Sequence, residues 1–178
     1  DIVGKPAAEI AAMAGFEVPA DTKILIAELE GAGADYPLSR EKLSPVLACI
    51  RVNSTEEGYK TCMNMLNLGG LGHSAVIHST DKEVQLEYGK RMKACRIMVN
   101  APSAQGGIGD IYNGFIPSLT LGCGSYGNNS ISENVSATHL INVKKMTQRR
   151  NNMQWFKLPP KVYFEKYSTQ YLAKMPRI

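Results

Sequence analysis

The chain has 178 residues, 44% hydrophobic and 20% charged, enough apolar content to build a sizeable core in one large domain or two small ones. That composition excludes a disordered, collagen-like or low-complexity chain, and no apolar run approaches the roughly 18 residues of a membrane span. A balance of 20 basic against 16 acidic residues leaves only +4, less basic and less clustered than a nucleic-acid binder requires.

Pro6 suits a first helical position, Ala7, Ile10, Ala11 and Ala14 share one face, and Gly15 ends this first predicted helix. Lys23 to Leu29 is short, apolar and bounded by turn residues, which predicts a buried strand. Residues 30–45 are punctuated by Gly and Pro and read as loop, and Val46 to Val52 as a second strand. Ser54-x-x-Glu57 is a capping box that starts a helix, with Tyr59, Cys62, Met63 and Leu66 at helical spacing and Gly69-Gly70 at its end. Ser74 to His78 reads as a third strand. Thr80-x-x-Glu83 reads as a second capping box, and Val84, Tyr88, Met92 and Cys95 as one helical face. Arg96 to Asn100 is the fourth strand. Strands separated by helices pair in parallel, because parallel neighbours need long crossovers, and their functional groups are expected in loops at the carboxyl ends of strands.

From Ala101 to Ser136 the chain is rich in Gly, Asn and Ser and reads as a long loop of functional character. Ile141 to Met146 reads as a further strand. Lys144, Lys145, Arg149 and Arg150 form a basic cluster with no accompanying RNA-type aromatic motif. Pro159-Pro160 breaks the chain, and Val162 to Met175 reads as a tail with a short helix. The four cysteines, Cys49, Cys62, Cys95 and Cys123, form neither a C-x-x-C pair nor a zinc-ligand spacing, and read as reduced thiols of a cytoplasmic protein. Asn-x-Ser/Thr triplets at Asn53, Asn128 and Asn134 read as chance matches. The Asp1 terminus carries neither an initiator Met nor a leader pattern, and reads as the start of an internal or processed piece.

Four places could carry chemistry. Gly122-Cys-Gly-Ser-Tyr-Gly127 has the spacing of a dinucleotide fingerprint, but Asn128-Asn-Ser-Ile-Ser makes a poor first helical turn and no acid-tipped strand follows about 20 residues on. The competing reading is a turn whose backbone passes close to something. Cys123, inside it, reads as a nucleophile or as a small, partly buried thiol, the second being favoured because no adjacent base is visible. His73 follows Gly-Gly-Leu-Gly72 and could act as acid, base or hydrogen-bond donor, or be a satisfied structural histidine; His78 and His139 are given no role. Glu41 lies in a polar loop, where a carboxylate can accept two hydrogen bonds from a ribose diol or stand solvated beside Arg40 and Lys42. Composition does not separate the two.

Taken together, Glu41-Lys-Leu-Ser-Pro-Val-Leu-Ala48, Gly69-Gly-Leu-Gly-His-Ser74, Arg96-Ile-Met-Val-Asn-Ala-Pro-Ser-Ala-Gln-Gly-Gly-Ile-Gly-Asp110, Pro117-Ser-Leu-Thr-Leu-Gly-Cys-Gly-Ser-Tyr-Gly127, Ser130-Ile-Ser-Glu-Asn-Val135 and His139-Leu-Ile-Asn142 closely resemble the CoA-acylating aldehyde dehydrogenase half of bifunctional aldehyde–alcohol dehydrogenases. Trp155 to Phe164 resembles the end of that half, and the last residues the start of a linker toward an iron-dependent alcohol dehydrogenase half. The resemblance implies an α/β aldehyde dehydrogenase-like catalytic lobe with a mostly parallel sheet flanked by helices and a long Gly-rich loop. Residues 1–157 would form the lobe, incomplete upstream, and 158–178 the tail and linker.

It also implies the chemistry: NADH reduces acyl-CoA reversibly to aldehyde and free coenzyme A through a cysteine thioester. The family's nucleophilic Cys and most of its NAD-binding portion would precede Asp1, so Cys123 would not be the nucleophile, and iron would belong only to the absent alcohol dehydrogenase half. By position, His73 matches the active-site His of a Gly-His-Thr motif, here followed by Ser74, which keeps the hydroxyl. Glu41 matches the glutamate that holds the nicotinamide ribose, and Leu121 a residue lining the nicotinamide site. Tyr126 stands where Trp is common and Ala104 where Ser is common. The expected partners are acyl-CoA and aldehyde, with no nucleic acid and no membrane, in a homo-oligomer that could be a helical filament at full length. Two other readings stay open: a non-catalytic assembly or binding segment of that enzyme, and a stand-alone acylating dehydrogenase without the alcohol dehydrogenase half.

Overall fold

The computed structural model describes residues 1–148. Asp1–Ile141 forms one compact unit; residues 142–148 belong to a second and hold no regular secondary structure, so the strand expected over Ile141 to Met146 does not form. The cluster residues Arg149 and Arg150, the Pro159-Pro160 break, the tail helix and the 157/158 boundary lie outside the described residues.

Helix α1, Ala7–Met13, buries Ala7, Ile10 and Ala11, the face expected from spacing. Pro6 is the residue before the helix rather than its first, held extended at φ −69° and ψ 157°. Gly15 terminates it at φ +86°, where the backbone turns left-handed. Strands β1, Leu25–Leu29, and β2, Val46–Ile50, pair in parallel with Ile26 opposite Leu47 and Glu28 opposite Cys49. β1 is not the buried strand its apolar run suggested. Its residues alternate between half-buried and exposed, and Ile26 is 65% exposed. The crossover between the two strands has no α-helix, only a 3₁₀ turn at Pro37–Ser39.

Helix α2, Thr55–Gly69, starts at the expected cap: the Ser54 hydroxyl accepts from the Glu57 N–H at 3.2 Å. The reciprocal arm reaches one residue further, with the Glu57 carboxylate accepting from the Asn53 N–H at 2.7 Å. Strands β3, Gly72–Ile77, and β4, Ala94–Val99, form a second parallel ribbon, joined by α3, Lys82–Arg91. The cap of α3 is Asp81 and not Thr80; its carboxylate accepts from the Glu83 and Val84 N–H groups. α3 stops at Arg91, so Met92 caps it and Cys95 lies on β4 rather than on the helical face. The four strands pair in parallel, as expected, but in two separate two-stranded ribbons among the described residues.

The core sits between α2, α3 and the β3–β4 ribbon. Tyr59, Tyr88 and Met92 are buried there against Cys62, Met63, Leu66, Ala75, Ile77, Val84 and Ile97. The two tyrosine rings meet at 6.1 Å, and the Tyr59 hydroxyl donates to the Val84 carbonyl at 3.1 Å, so that polar atom is satisfied inside the core.

The stretch from Ala101 to Ser136 is not structureless. It contains helix α4, Ser103–Ile108, and 3₁₀ turns at Asp110–Tyr112 and Ser125–Gly127, with Leu121 bridged to Asn134. Asn134, one of the Asn-x-Ser/Thr matches, is buried, and its amide donates to the Gly107 and Ile116 carbonyls. A side chain so enclosed presents no acceptor for a glycan.

Candidate functional site

Gly122-Cys-Gly-Ser-Tyr-Gly127 is a close-packed turn. It runs into a single 3₁₀ turn, not a helix, so it lacks the helix N-terminus on which a pyrophosphate would rest. Its glycines answer to packing. A Cβ on Gly122 would collide with the Ile131 carbonyl, one on Gly127 with the Cys123 side chain, and one on Gly124 would stand 2.9 Å from the Cys95 sulfur. Gly72, at φ +95°, faces the Cys123 carbonyl with no space for a Cβ. Gly72, facing the Cys123 carbonyl, and Gly127, beside the Leu71 carbonyl, let the two segments approach closely, which brings Leu121 and Cys123 beside the start of β3.

A cavity of about 820 Å³ opens at that junction, and Glu41, His73 and Leu121 all line it. Its other walls include the C-terminal turn of α2, with Leu66, Gly69 and Gly70, together with Ser103 and Ala104 of α4. The Glu41 loop lies against the helix end, where a Cβ on Gly69 would touch the Glu41 backbone nitrogen at an ordinary contact distance of 3.9 Å. Gly107 of α4 likewise backs onto Leu121 and Ser74. The cavity lies mainly at the amino end of β3, not at the carboxyl ends of strands as the α/β pattern suggested. Ser103 and Ala104 follow the carboxyl end of β4, and Glu41 and Leu43 come from the connection between β1 and β2.

The polar groups differ in how they are held. Glu41 is exposed at the rim. His73 is exposed, and its Nδ1 lies 2.9 Å from the Ser74 hydroxyl. Cys123 is half-buried and shares this cavity; its thiol points to the Leu121 carbonyl at 3.9 Å. Cys62 and Tyr88 also line the cavity. Burial pushes the Cys62 thiol up from its ordinary value, against a smaller opposing effect of its hydrogen bond with Tyr88. Burial raises the Tyr88 phenol too, reinforced by neighbouring Cys62. Both are neutral near pH 7, and Glu41 is the one carboxyl side chain of the lining.

Arg96 received no role from its sequence position, yet it is 2% exposed beneath this site. Its Nη2 donates to the Gly122 carbonyl at 2.6 Å and its Nε to the Ser74 hydroxyl at 3.4 Å, while Nη1 has no partner among the described residues. The available signal was a lone guanidinium inside an otherwise apolar strand, since such a charge is rarely buried without a task. His78 and His139 do not line the cavity. All four cysteines are free, and among the described residues no group of three or more His, Cys, Asp or Glu side chains could hold a metal ion. No described helix is long and apolar enough to cross a membrane.

No family model matches the chain. It is 58% identical over 174 residues to an aldehyde-alcohol dehydrogenase of Streptococcus pneumoniae serotype 4, covering 98% of this chain and 20% of that protein. It is 48% identical over 172 residues to the bifunctional aldehyde-alcohol dehydrogenase of Escherichia coli K12, covering 94% of this chain and 19% of the relative. An acetylating aldehyde dehydrogenase from Geobacillus thermoglucosidasius superposes with a TM-score of 0.74 at 45% identity, over 83% of this chain and 34% of that one. The chain thus spans about one fifth of the length of the curated relatives it matches.

Proposed function

We propose that this chain, similar over nearly its whole length to aldehyde-alcohol dehydrogenases and over 83% of it to an acetylating aldehyde dehydrogenase, forms one wall of the active site of an NAD-dependent acetaldehyde dehydrogenase (acetylating). That enzyme reduces acetyl-CoA, or another acyl-CoA, reversibly to the aldehyde and coenzyme A. One observation carries the reading: Glu41, His73 and Leu121, spread over two loops and a strand, line the same cavity.

The cavity suits a nicotinamide nucleoside and a thioester. At about 820 Å³ it has the size of a small-molecule site. A rim carboxylate can accept both hydroxyls of a ribose, and an apolar leucine wall can cover a nicotinamide face and keep water from it. Bound NADH supplies the hydride. Glu41 holds the ribose, Leu121 positions the ring, and His73 exchanges a proton with the CoA sulfur or the acyl oxygen. The acyl group is carried as a thioester by a cysteine of the polypeptide outside these residues. Iron serves only an alcohol dehydrogenase half, also outside them.

The test is steady-state reduction of acetyl-CoA by the full-length protein. Glu41→Ala is expected to raise the KM for NADH roughly tenfold or more, the scale of a lost hydrogen bond to a charged group. His73→Ala is expected to slow acyl transfer on the order of 100-fold while leaving NADH binding nearly intact. An unchanged KM would remove Glu41 from the site, and equal losses in both steps would make His73 structural.

A further inference from the structure

His73 and Ser74 follow Gly72 at the start of β3, and Ser74 stands directly opposite Arg96 in the parallel register of β3 and β4. Residues paired in register project to the same face of a ribbon, so the serine hydroxyl and the arginine side chain meet there. Ser74 Oγ lies 2.9 Å from His73 Nδ1 and 3.4 Å from Arg96 Nε.

The donor inventory fixes one end of this short chain. A guanidinium can only donate, so the Ser74 oxygen accepts from Arg96. The hydroxyl keeps its proton and a second lone pair, so the tautomer of His73 sets the direction of the 2.9 Å hydrogen bond to Nδ1. With the hydroxyl donating, Nδ1 accepts and the proton of the neutral ring sits on Nε2, the nitrogen left to meet a ligand. Arg96 is held in place: it is 2% exposed, tied to the Gly122 carbonyl at 2.6 Å, and among the described residues no carboxylate pairs with it. The same side chain thus anchors the turn behind Leu121 and orients the hydroxyl behind His73.

We infer that Ser74, oriented by buried Arg96, is a positioning residue that holds His73 in the tautomer with Nδ1 accepting and Nε2–H offered to the acyl-CoA. The inference rests on the proposed role of His73. It explains why a serine serves where the resembled motif has threonine: the hydroxyl is the part in use.

A double-mutant cycle in the full-length enzyme tests it, read as turnover of acetyl-CoA and as KM for NADH. Ser74→Ala is expected to lower turnover roughly tenfold, the scale of one hydrogen bond, with KM for NADH unchanged. Ser74→Thr is expected to restore turnover, which separates loss of the hydroxyl from loss of the fold. In a His73→Ala background, Ser74→Ala is expected to cost nothing further. The same loss in both backgrounds, or no loss with His73 present, overturns the inference while leaving His73 its role. If His73→Ala itself left turnover untouched, the role of His73 would fall and the inference with it.

Discussion

Cys62 and Tyr88 are kept protonated by the burial that also builds the cavity floor. A raised folded-state pKa means that the native chain holds its proton more tightly than the unfolded one. The associated stability is therefore complete below the ordinary thiol value and declines as pH rises through and beyond 9.0 for Cys62 and 10.0 for Tyr88. The expected outcome is that Cys62 resists alkylation near pH 7.5 and becomes reactive only above about pH 9, followed by peptide mapping of the alkylated protein. Cys123, by contrast, is a half-buried thiol aimed at a backbone carbonyl. Cys123→Ser in the full-length enzyme is expected to keep turnover within about twofold, because the proposed function places the acyl carrier on another cysteine. A collapse by several orders of magnitude would make Cys123 the nucleophile.

Among the elements, α3 separates two readings of one sequence. The pattern Thr80-x-x-Glu83 suggested a threonine cap, whereas Asp81 does the capping. The reason is local: the Asp81 carboxylate reaches two orphan N–H groups at once and sits favourably at the positive end of the helix. Asp81→Ala is expected to cost about 1 kcal/mol and Thr80→Ala little, read as a shift in the thermal or denaturant midpoint of the protein. At the amino end of β3, Gly72→Ala is expected to be far more damaging. It meets both a positive φ and the Cys123 carbonyl, so either β3 or the Gly122–Gly127 turn must move. Loss of the cavity geometry would appear as a rise in KM for NADH, since Leu121 rides on that turn.

The exposed face of the β1–β2 ribbon carries Ile26, Leu47 and Cys49, an apolar surface with no cover among the described residues. This fits the proposal that the lobe works as part of a larger protein, as does its span of about one fifth of its aldehyde-alcohol dehydrogenase relatives. Assayed side by side, the full-length protein is expected to reduce acetyl-CoA and the isolated 178 residues to show no turnover, because aligning acyl carbon, thiolate and nicotinamide needs both walls of the crevice. Turnover by the isolated chain would place the nucleophile within it.

Elements whose signals are local were readable in the sequence. The α1 face, the Ser54 cap, the glycine stop of α2 and the four strands depend on periodicity and capping over a few residues, and parallel pairing follows from the lengths of the crossovers. The family motifs also singled out Glu41, His73 and Leu121. Other features depended on neighbours distant in the chain, which periodicity does not encode. These include the burial of one face of β1, the split into two ribbons, and the order within residues 101–136. The glycines of 122–127 serve close packing against residues 72 and 131, not a phosphate. The pairing of Ser74 with Arg96 came from strand register alone, for only register decides which side chain lies opposite another.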